Sequence, residues 1–268
     1  MVFIGKTHKN LTKRGIMTNV AFVTIPTAPI TQIFNNYNPT SYGGDGRHKG
    51  IDYGIMAGNP VYSCMDGEVI ATILSQSGYG RHIKIKHADG CVSIYGHLTK
   101  TLVSVGQIVK AGQEIGKSGG DPNDSIDGDG FSTGAHLHWE IRPSTSLNTD
   151  QGAVDPEKWC LRYVRGIRKQ AEITAYLGLR SRVSPVDGQT IYTIPHRSLI
   201  DVIEEKDGWC RLLSLRSEWC SKEYLRFTGI ETNPEIPVEE VPVPKIYTDA
   251  EKLSLLWEDY LSRYPEYK

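Results

Sequence analysis

Four side chains fall into two short pairs whose residue types suit a metal site: His48 with Asp52, and His136 with His138. Imidazole nitrogens and carboxylate oxygens are zinc ligands, and a catalytic zinc takes three protein ligands and leaves its fourth position for water. Both pairs have even spacing, so an extended strand would point each pair to one face of a sheet. Three of these four side chains therefore form a candidate ligand set for a catalytic zinc.

The spacing of the first pair requires the chain to turn. Four residues of extended strand span roughly 13 Å, which is too far for two ligands of one ion. Gly50 lies between His48 and Asp52, and we expect it to allow a bend there. Spacing alone does not choose between His136 and His138, because both face the same way. The alternative, that these are unrelated surface and core residues, suits each histidine singly better than it suits the set.

Length and composition are those of an ordinary globular protein. The chain has 268 residues, enough for more than one domain, and a net charge of -1, which gives no electrostatic argument for nucleic acid or an anionic membrane. No run approaches the roughly 18 apolar residues of a membrane span. Five cysteines without a C-x-x-C pair argue against a disulfide scaffold and against a thiolate zinc site. Cys64 with Cys91, or Cys210 with Cys220, are candidates for cross-strand neighbours without a bond.

The residue pattern predicts a mainly β protein. After an N-terminal arm at 1–19, residues 20–160 form short runs separated by glycine, with apolar and polar residues alternating over 81–86. We find no helical pattern there and expect an antiparallel β-sheet domain. His82 and His87 bracket the alternating run, so both are expected to face outward.

Three further segments follow. Residues 170–229 are a second set of short strands, which suggests a small β-barrel, and 230–246 is a proline-rich linker. Residues 247–268 predict an amphipathic C-terminal helix, because Thr248 to Glu251 is a capping box. One apolar stripe follows it: Leu253, Leu256, Trp257, Tyr260 and Leu261. The helix is expected to dock either on its own domains or on a partner protein, and both alternatives stay open.

Three motifs give the first domain a family resemblance: His48-x-x-x-Asp52, Tyr95-Gly96-His97-Leu98 and His136-x-His138. With these residues the region from 20 to 160 resembles the lysostaphin-type (LytM-like) zinc metallopeptidases, which cut peptide bonds in bacterial peptidoglycan. The resemblance implies that His48, Asp52 and His138 ligate one zinc ion per chain.

The same resemblance implies catalytic roles for three more residues. His97 and His136 would lie beside the catalytic water, and Tyr42 would lie near the scissile carbonyl group. Glu140 follows His138 at even spacing, so an orienting role behind that ligand and a solvated or structural role are both open. The sequence departs from the family in an acidic insertion at 121–130, which we hypothesise borders the substrate groove and shapes specificity.

The second β unit resembles bacterial Src-homology-3-type domains. The similarity is carried by Leu179-Arg180-Ser181, by the run from Gly208 to Leu212 and by the run from Trp219 to Leu225. Such domains often hold cell-wall peptide or glycan, so the implied role is targeting. Trp209 and Trp219 are expected in the core, whereas Tyr176 and Tyr192 are better candidates for exposed contacts.

Together these resemblances predict a modular peptidoglycan hydrolase. The N-terminal arm lacks the apolar stretch of a secretory signal, so we expect synthesis in the cytoplasm. A phage or prophage lysin that acts on the wall after release, or as a virion tail component, fits that expectation. The rival hypothesis is a catalytically inactive structural or activator protein of a wall-remodelling or tail assembly. The intact ligand set favours the enzyme.

Overall fold

A computed structural model describes residues 20–38, 40, 45–123, 128–143, 152–164 and 168–232. The chain divides into two units, Met1–Pro237 and Val238–Lys268, and every described residue belongs to the first. The N-terminal arm, most of the linker and the C-terminal helix lie outside the described residues, so those assignments stay predictions. None of the helices in the described part of the chain has the length and the apolar composition that a membrane span requires.

The described chain between residues 20 and 143 is built from antiparallel strands, as predicted. They are β1 (Ile30–Gln32), β2 (Ile51–Tyr53), β3 (Pro60–Tyr62), β4 (Gly67–Ile73), β5 (His82–His87), β6 (Cys91–Gly96), β7 (Leu98–Thr101), β8 (Ile108–Val109), β9 (Glu114–Ser118) and β10 (Leu137–Pro143). Seven of them form one sheet in the order β1-β2-β10-β6-β5-β4-β8, and three form a smaller sheet in the order β3-β9-β7. Strand β6 lies inside the larger sheet and is buried at every residue.

The register of two strand pairs decides where the chemistry-bearing side chains lie. Strand β10 lies between β2 and β6, with His138 opposite Asp52 on one side and opposite Gly96 on the other. The neighbouring residues of β10, Leu137 and Trp139, are fully buried in the hydrophobic core. Because successive strand residues point to opposite faces, burial of these two places His138 on the other face of the sheet.

One short helix closes this region, where the sequence pattern predicted none. Helix α1 (Pro156–Leu161) begins at Asp155, whose side chain accepts a hydrogen bond from the backbone N–H of Lys158 at 3.1 Å. Six residues are fewer than two turns, so the helix presents too little of the 3.6-residue period to be recognised from hydrophobicity. Its N-cap and its proline in the first turn were the available signals.

His82 and His87 are both buried, so the prediction that they face outward is wrong. A ring nitrogen of each histidine hydrogen-bonds a backbone carbonyl: His82 Nδ1 lies 2.9 Å from Gly80 O, and His87 Nδ1 lies 2.9 Å from Asp66 O. Alternation within one strand could not reveal these partners, because Gly80 lies before β5 and Asp66 lies before the neighbouring strand β4.

The second sheet has seven antiparallel strands and a core of its own. The strands are β11 (Arg168–Ile173), β12 (Leu179–Arg182), β13 (Thr190–Ile194), β14 (Leu199–Lys206), β15 (Trp209–Leu212), β16 (Trp219–Ser221) and β17 (Leu225–Thr232), in the order β13-β12-β16-β15-β14-β11-β17. Cys210 and Cys220 face each other across β15 and β16, and all five cysteines are buried free thiols. Trp209 and Trp219 are half-buried.

Arg216 joins the second sheet to the first. Its guanidinium donates hydrogen bonds to the carbonyl oxygens of Ala28 at 2.7 Å and Pro26 at 3.3 Å. The same group lies 4.7 Å from the ring centroid of Phe22 and 5.3 Å from that of Tyr53. The Arg216 side chain is buried, so this contact ties the loop between β15 and β16 to the segment that precedes β1.

Truncation of Arg216 should therefore destabilise the protein more than truncation of an exposed arginine. Arg216→Ala removes the donor from the buried carbonyl group of Ala28 and from that of Pro26, and we expect it to cost about 3 kcal/mol of unfolding free energy. Arg211 pairs with Glu204 at the surface, and Arg211→Ala should cost about 0.5 kcal/mol. Urea titrations followed by tryptophan fluorescence measure both, and equal shifts in the two variants would refute a special role for Arg216.

Candidate metal centre

His48, Asp52 and His138 are brought together by the fold. One ligand atom from each lies within 4.8 Å of the other two, and all three side chains are buried. Asp52 lies on β2, His138 lies opposite it on β10, and His48 precedes β2 by three residues. The closest approach is 2.7 Å, between Asp52 Oδ1 and His138 Nδ1.

Gly50 shapes this approach in a way that its predicted role did not include. The chain does bend at Gly50, but a Cβ atom there would lie 2.4 Å from the carbonyl oxygen of Trp139 and 2.9 Å from the His138 ring. Both distances are too short for real atoms. Glycine is therefore required because β10 passes against the backbone, and not only because the chain turns.

Each of the two candidate histidine ligands is oriented by a hydrogen bond at the ring nitrogen that points away from the cluster. His48 Nδ1 lies 3.1 Å from the carbonyl oxygen of Ile33, which can only accept, so this nitrogen donates and Nε2 keeps a lone pair. His48 Nε2 lies 3.2 Å from Asp52 Oδ1. His138 Nε2 lies 3.0 Å from Glu140 Oε1, so the neutral ring that would bind a metal carries its hydrogen on Nε2 and turns the lone pair of Nδ1 toward Asp52.

Glu140 is itself held in place by two groups. Arg142 Nε donates to Glu140 Oε2 at 2.6 Å, and the Tyr79 hydroxyl donates to Glu140 Oε1 at 2.8 Å. Burial raises the pKa of Glu140, but the contacts with His138 and Arg142 outweigh burial and lower the pKa to about 2. An ionised carboxylate behind a ligating imidazole fixes the ring and strengthens it as a donor. Of the two roles left open for Glu140, the geometry favours the orienting one.

The electrostatics of the cluster suit a cation. Burial disfavours the charge on Asp52, yet His138 and His48 hold the pKa of Asp52 well below its usual range. Burial likewise lowers the pKa of His138, but Asp52 and Glu140 outweigh it and raise the pKa to about 10. Two buried carboxylates thus require positive charge between them. Two imidazole nitrogens and one carboxylate oxygen are also a donor set of catalytic zinc sites, so the residues present fit a zinc ion.

Two further imidazoles lie beside the cluster. His136 Nδ1 lies 2.7 Å from Gly134 O, and its Nε2 lies 3.8 Å from Asp52 Oδ2. The ring centroid of His97 lies 4.6 Å from the ring centroid of His136 and 5.9 Å from that of His138. Burial lowers the pKa of His136, and burial together with the two neighbouring imidazoles lowers the pKa of His97 to about 3. Both rings are therefore neutral near pH 7 and able to accept a proton.

The sequence analysis named six of the residues at this site and missed Tyr79, Asp129 and Arg142. The six are His48, Asp52, His97, His136, His138 and Glu140. Tyr42 lies outside the described residues. Arg142 follows Glu140 at the same even spacing as the histidines, so a period-two reading continued along β10 would have found it. Tyr79 and Asp129 contribute from loops distant in sequence, where no spacing rule connects them to the cluster.

A buried His-Asp-His set with two neutral imidazoles beside it is typical of hydrolytic zinc enzymes. Residues 46–156 match the model of peptidase family M23. The chain is 38% identical over 94 residues to the peptidoglycan DD-endopeptidase ShyA of Vibrio cholerae, covering 35% of this chain and 20% of that protein. It is 37% identical over 118 residues to the glycyl-glycine endopeptidase ALE-1 of Staphylococcus capitis, covering 43% of this chain and 30% of that protein.

Among solved structures, the catalytic domain of lysostaphin from Staphylococcus simulans is 31% identical, with 50% of this chain and 92% of that chain covered and a TM-score of 0.42. The match to peptidase family M23 is confined to residues 46–156, which is less than half of the chain. The chain spans 18%, 36% and 40% of the length of three curated relatives that it matches, so the likeness belongs to this domain.

The support that Glu140 gives to His138 has a measurable consequence. Glu140→Gln removes the negative charge behind the ring, and we expect it to weaken zinc affinity 10- to 100-fold. Glu68→Gln is the matched control, because Glu68 is exposed on β4. Competition with a chromophoric chelator measures both affinities, and thermal unfolding of the metal-free proteins checks the fold. Equal zinc affinity in the two variants would remove the orienting role.

Proposed function

We propose that this chain is a zinc-dependent endopeptidase that hydrolyses a peptide bond in the cross-links or stem peptides of bacterial peptidoglycan. One observation carries the proposal: His48, Asp52 and His138 converge in a buried cluster, with the neutral imidazoles of His97 and His136 beside it. The M23 match over 46–156, the peptidoglycan DD-endopeptidase activity of ShyA and the glycyl-glycine endopeptidase activity of ALE-1 support the choice of substrate class.

Each residue of the cluster has a distinct task in this reaction. His48, Asp52 and His138 would hold a zinc ion, which when bound would supply Lewis acidity toward the scissile carbonyl and a lowered pKa of water. His136 donates through Nδ1 to Gly134 O, so Nε2 is its proton acceptor, and this nitrogen lies on the Asp52 side of the ring. His97 donates through Nδ1 to Asp129 O and likewise keeps its Nε2 lone pair.

These two imidazoles supply the acid-base chemistry that amide hydrolysis requires. One neutral ring takes a proton from the attacking water, and the resulting imidazolium returns a proton to the leaving amine nitrogen. Burial and like charge keep both rings neutral until that step. Tyr42, an arginine or a second imidazolium would stabilise the developing oxyanion, and the choice among them stays open.

His136, which precedes β10, and His138, which lies on it, are proposed to have different roles, and this difference can be tested directly. His136→Ala should retain zinc and lose 10²- to 10⁴-fold in rate, because only a proton acceptor is removed. His138→Ala should lose both zinc and activity. His196→Ala is the control, since His196 lies in the turn between β13 and β14, and it should keep both. Zinc content by atomic absorption and hydrolysis of purified walls are measured on the same samples; equal zinc loss at 136 and 138 contradicts the assignment.

The rival function is a catalytically inactive structural or activator protein. The two hypotheses separate on chelation: an enzyme should stop clearing a suspension of purified walls when zinc is stripped, and should recover when zinc returns. Zinc should also raise the unfolding free energy by about 2.7 kcal/mol at a hundredfold excess over its Kd. Wall hydrolysis that persists in the stripped protein, or that is absent with zinc bound, would sink the proposed function.

The second sheet is proposed to be a Src-homology-3-type wall-binding domain. Tyr176 and Tyr192 are 84% and 46% exposed, which supports their role as surface contacts. Co-sedimentation of the metal-stripped protein with purified sacculi tests this role, and failure to bind would remove it. The phage or prophage origin of the protein, its place of action on the wall and the partner of its C-terminal helix stay predictions.

A further inference from the structure

The end of the acidic insertion reaches into the candidate centre. Asp129 uses two of its atoms there: its carbonyl oxygen lies 2.6 Å from His97 Nδ1, and its Oδ1 accepts from the backbone N–H of Gly120 at 2.9 Å. Gly120 follows β9 by two residues, so the Asp129 side chain anchors the insertion to the core of the domain.

The backbone on either side of Asp129 is fixed as well. Arg81 N–H donates to Gly128 O, and Phe131 N–H donates to Gly78 O at 2.9 Å. The segment 128–131 therefore crosses the turn at 78–81 in close contact. A Cβ atom at Gly80 would lie 1.8 Å from Gly128 O, and Gly80 has φ +61°, so this crossing depends on glycine.

His97 itself is held in an unusual backbone conformation. Its φ is +57°, in the left-handed region that side chains other than glycine rarely adopt, and its N–H donates to Tyr79 O at 2.7 Å. The surrounding structure therefore imposes the position of this residue. The imidazole ring can still rotate about the side-chain bonds of His97. The hydrogen bond between His97 Nδ1 and the carbonyl oxygen of Asp129 would stop that rotation.

We propose that the carbonyl group of Asp129 selects the tautomer and the orientation of His97, so that the segment 128–131 is a positioning element of the active site. A carbonyl oxygen only accepts, so the neutral ring must carry its hydrogen on Nδ1, which leaves the Nε2 lone pair for proton transfer. The inference rests on the proposed function for its catalytic consequence. Its structural content, the tautomer of His97, does not.

Two variants and a control test the positioning role. Asp129→Ala removes the anchor to Gly120 and should lower kcat on purified walls by about tenfold to a hundredfold, with KM and zinc content unchanged. Asp129→Asn keeps a side-chain oxygen for the same N–H and should restore most of kcat. Asp121→Ala is the matched control, because Asp121 lies in the same insertion and its Oδ1 accepts from Asn123 N–H. It should behave as the wild type.

The tautomer is read separately by nitrogen-15 NMR of the imidazole rings, with His97 assigned by comparison with His97→Gln. The wild type should show the Nδ1–H form at His97, and Asp129→Ala should show a mixture of tautomers. An Nε2–H ring in the wild type overturns the inference whether or not the protein hydrolyses walls. So does an equal kcat in Asp129→Ala and Asp121→Ala. A wild type without hydrolysis but with the Nδ1–H ring, lost in Asp129→Ala, would refute the proposed function and leave the positioning intact.

Discussion

The structure depends on the antiparallel pairing of β2 with β10, because that pairing sets Asp52 opposite His138. A shift of one residue in this register would move His138 to the core face and bring Leu137 or Trp139 to the cluster. The register is fixed by the buried side chains that alternate with the polar ones: Leu137, Trp139 and Ile141 are all fully buried. Packing of the core on one face of β10 thus aligns the candidate metal ligands on the other face.

Several ionisable groups are buried in a row that begins at Asp52 on β2 and continues along β10. In this row each side chain hydrogen-bonds the next, in the order Asp52, His138, Glu140 and Arg142. A buried charge without such a partner would cost several kcal/mol. The four side chains therefore form one continuous series of polar contacts that runs from Asp52 through His138 and Glu140 to Arg142.

The sequence revealed the parts of this site that repeat at fixed spacing along one strand. The pair His136 and His138, with Glu140 after it, could be read from period two, and the antiparallel β class followed from glycine-separated short runs. Contacts made by backbone carbonyl groups could not be read, because every residue has one. The bond from His97 to the Asp129 carbonyl and those from Arg216 to Ala28 and Pro26 are of this kind. The prediction that His82 and His87 face outward was wrong for the same reason, because their partners are also backbone carbonyl groups.

Arg216 has a consequence for how such proteins exchange parts. Two sheets that each possess a core are usually regarded as interchangeable modules joined by a tether. Here a side chain 188 residues away along the sequence completes the hydrogen bonding of Ala28, and a cation from one module lies against aromatic rings of the other. A chimaera that replaces residues 168–232 would have to supply an equivalent cation at that loop, or accept a loosened junction. Recombination of this pair is therefore constrained by a contact that neither half contains alone.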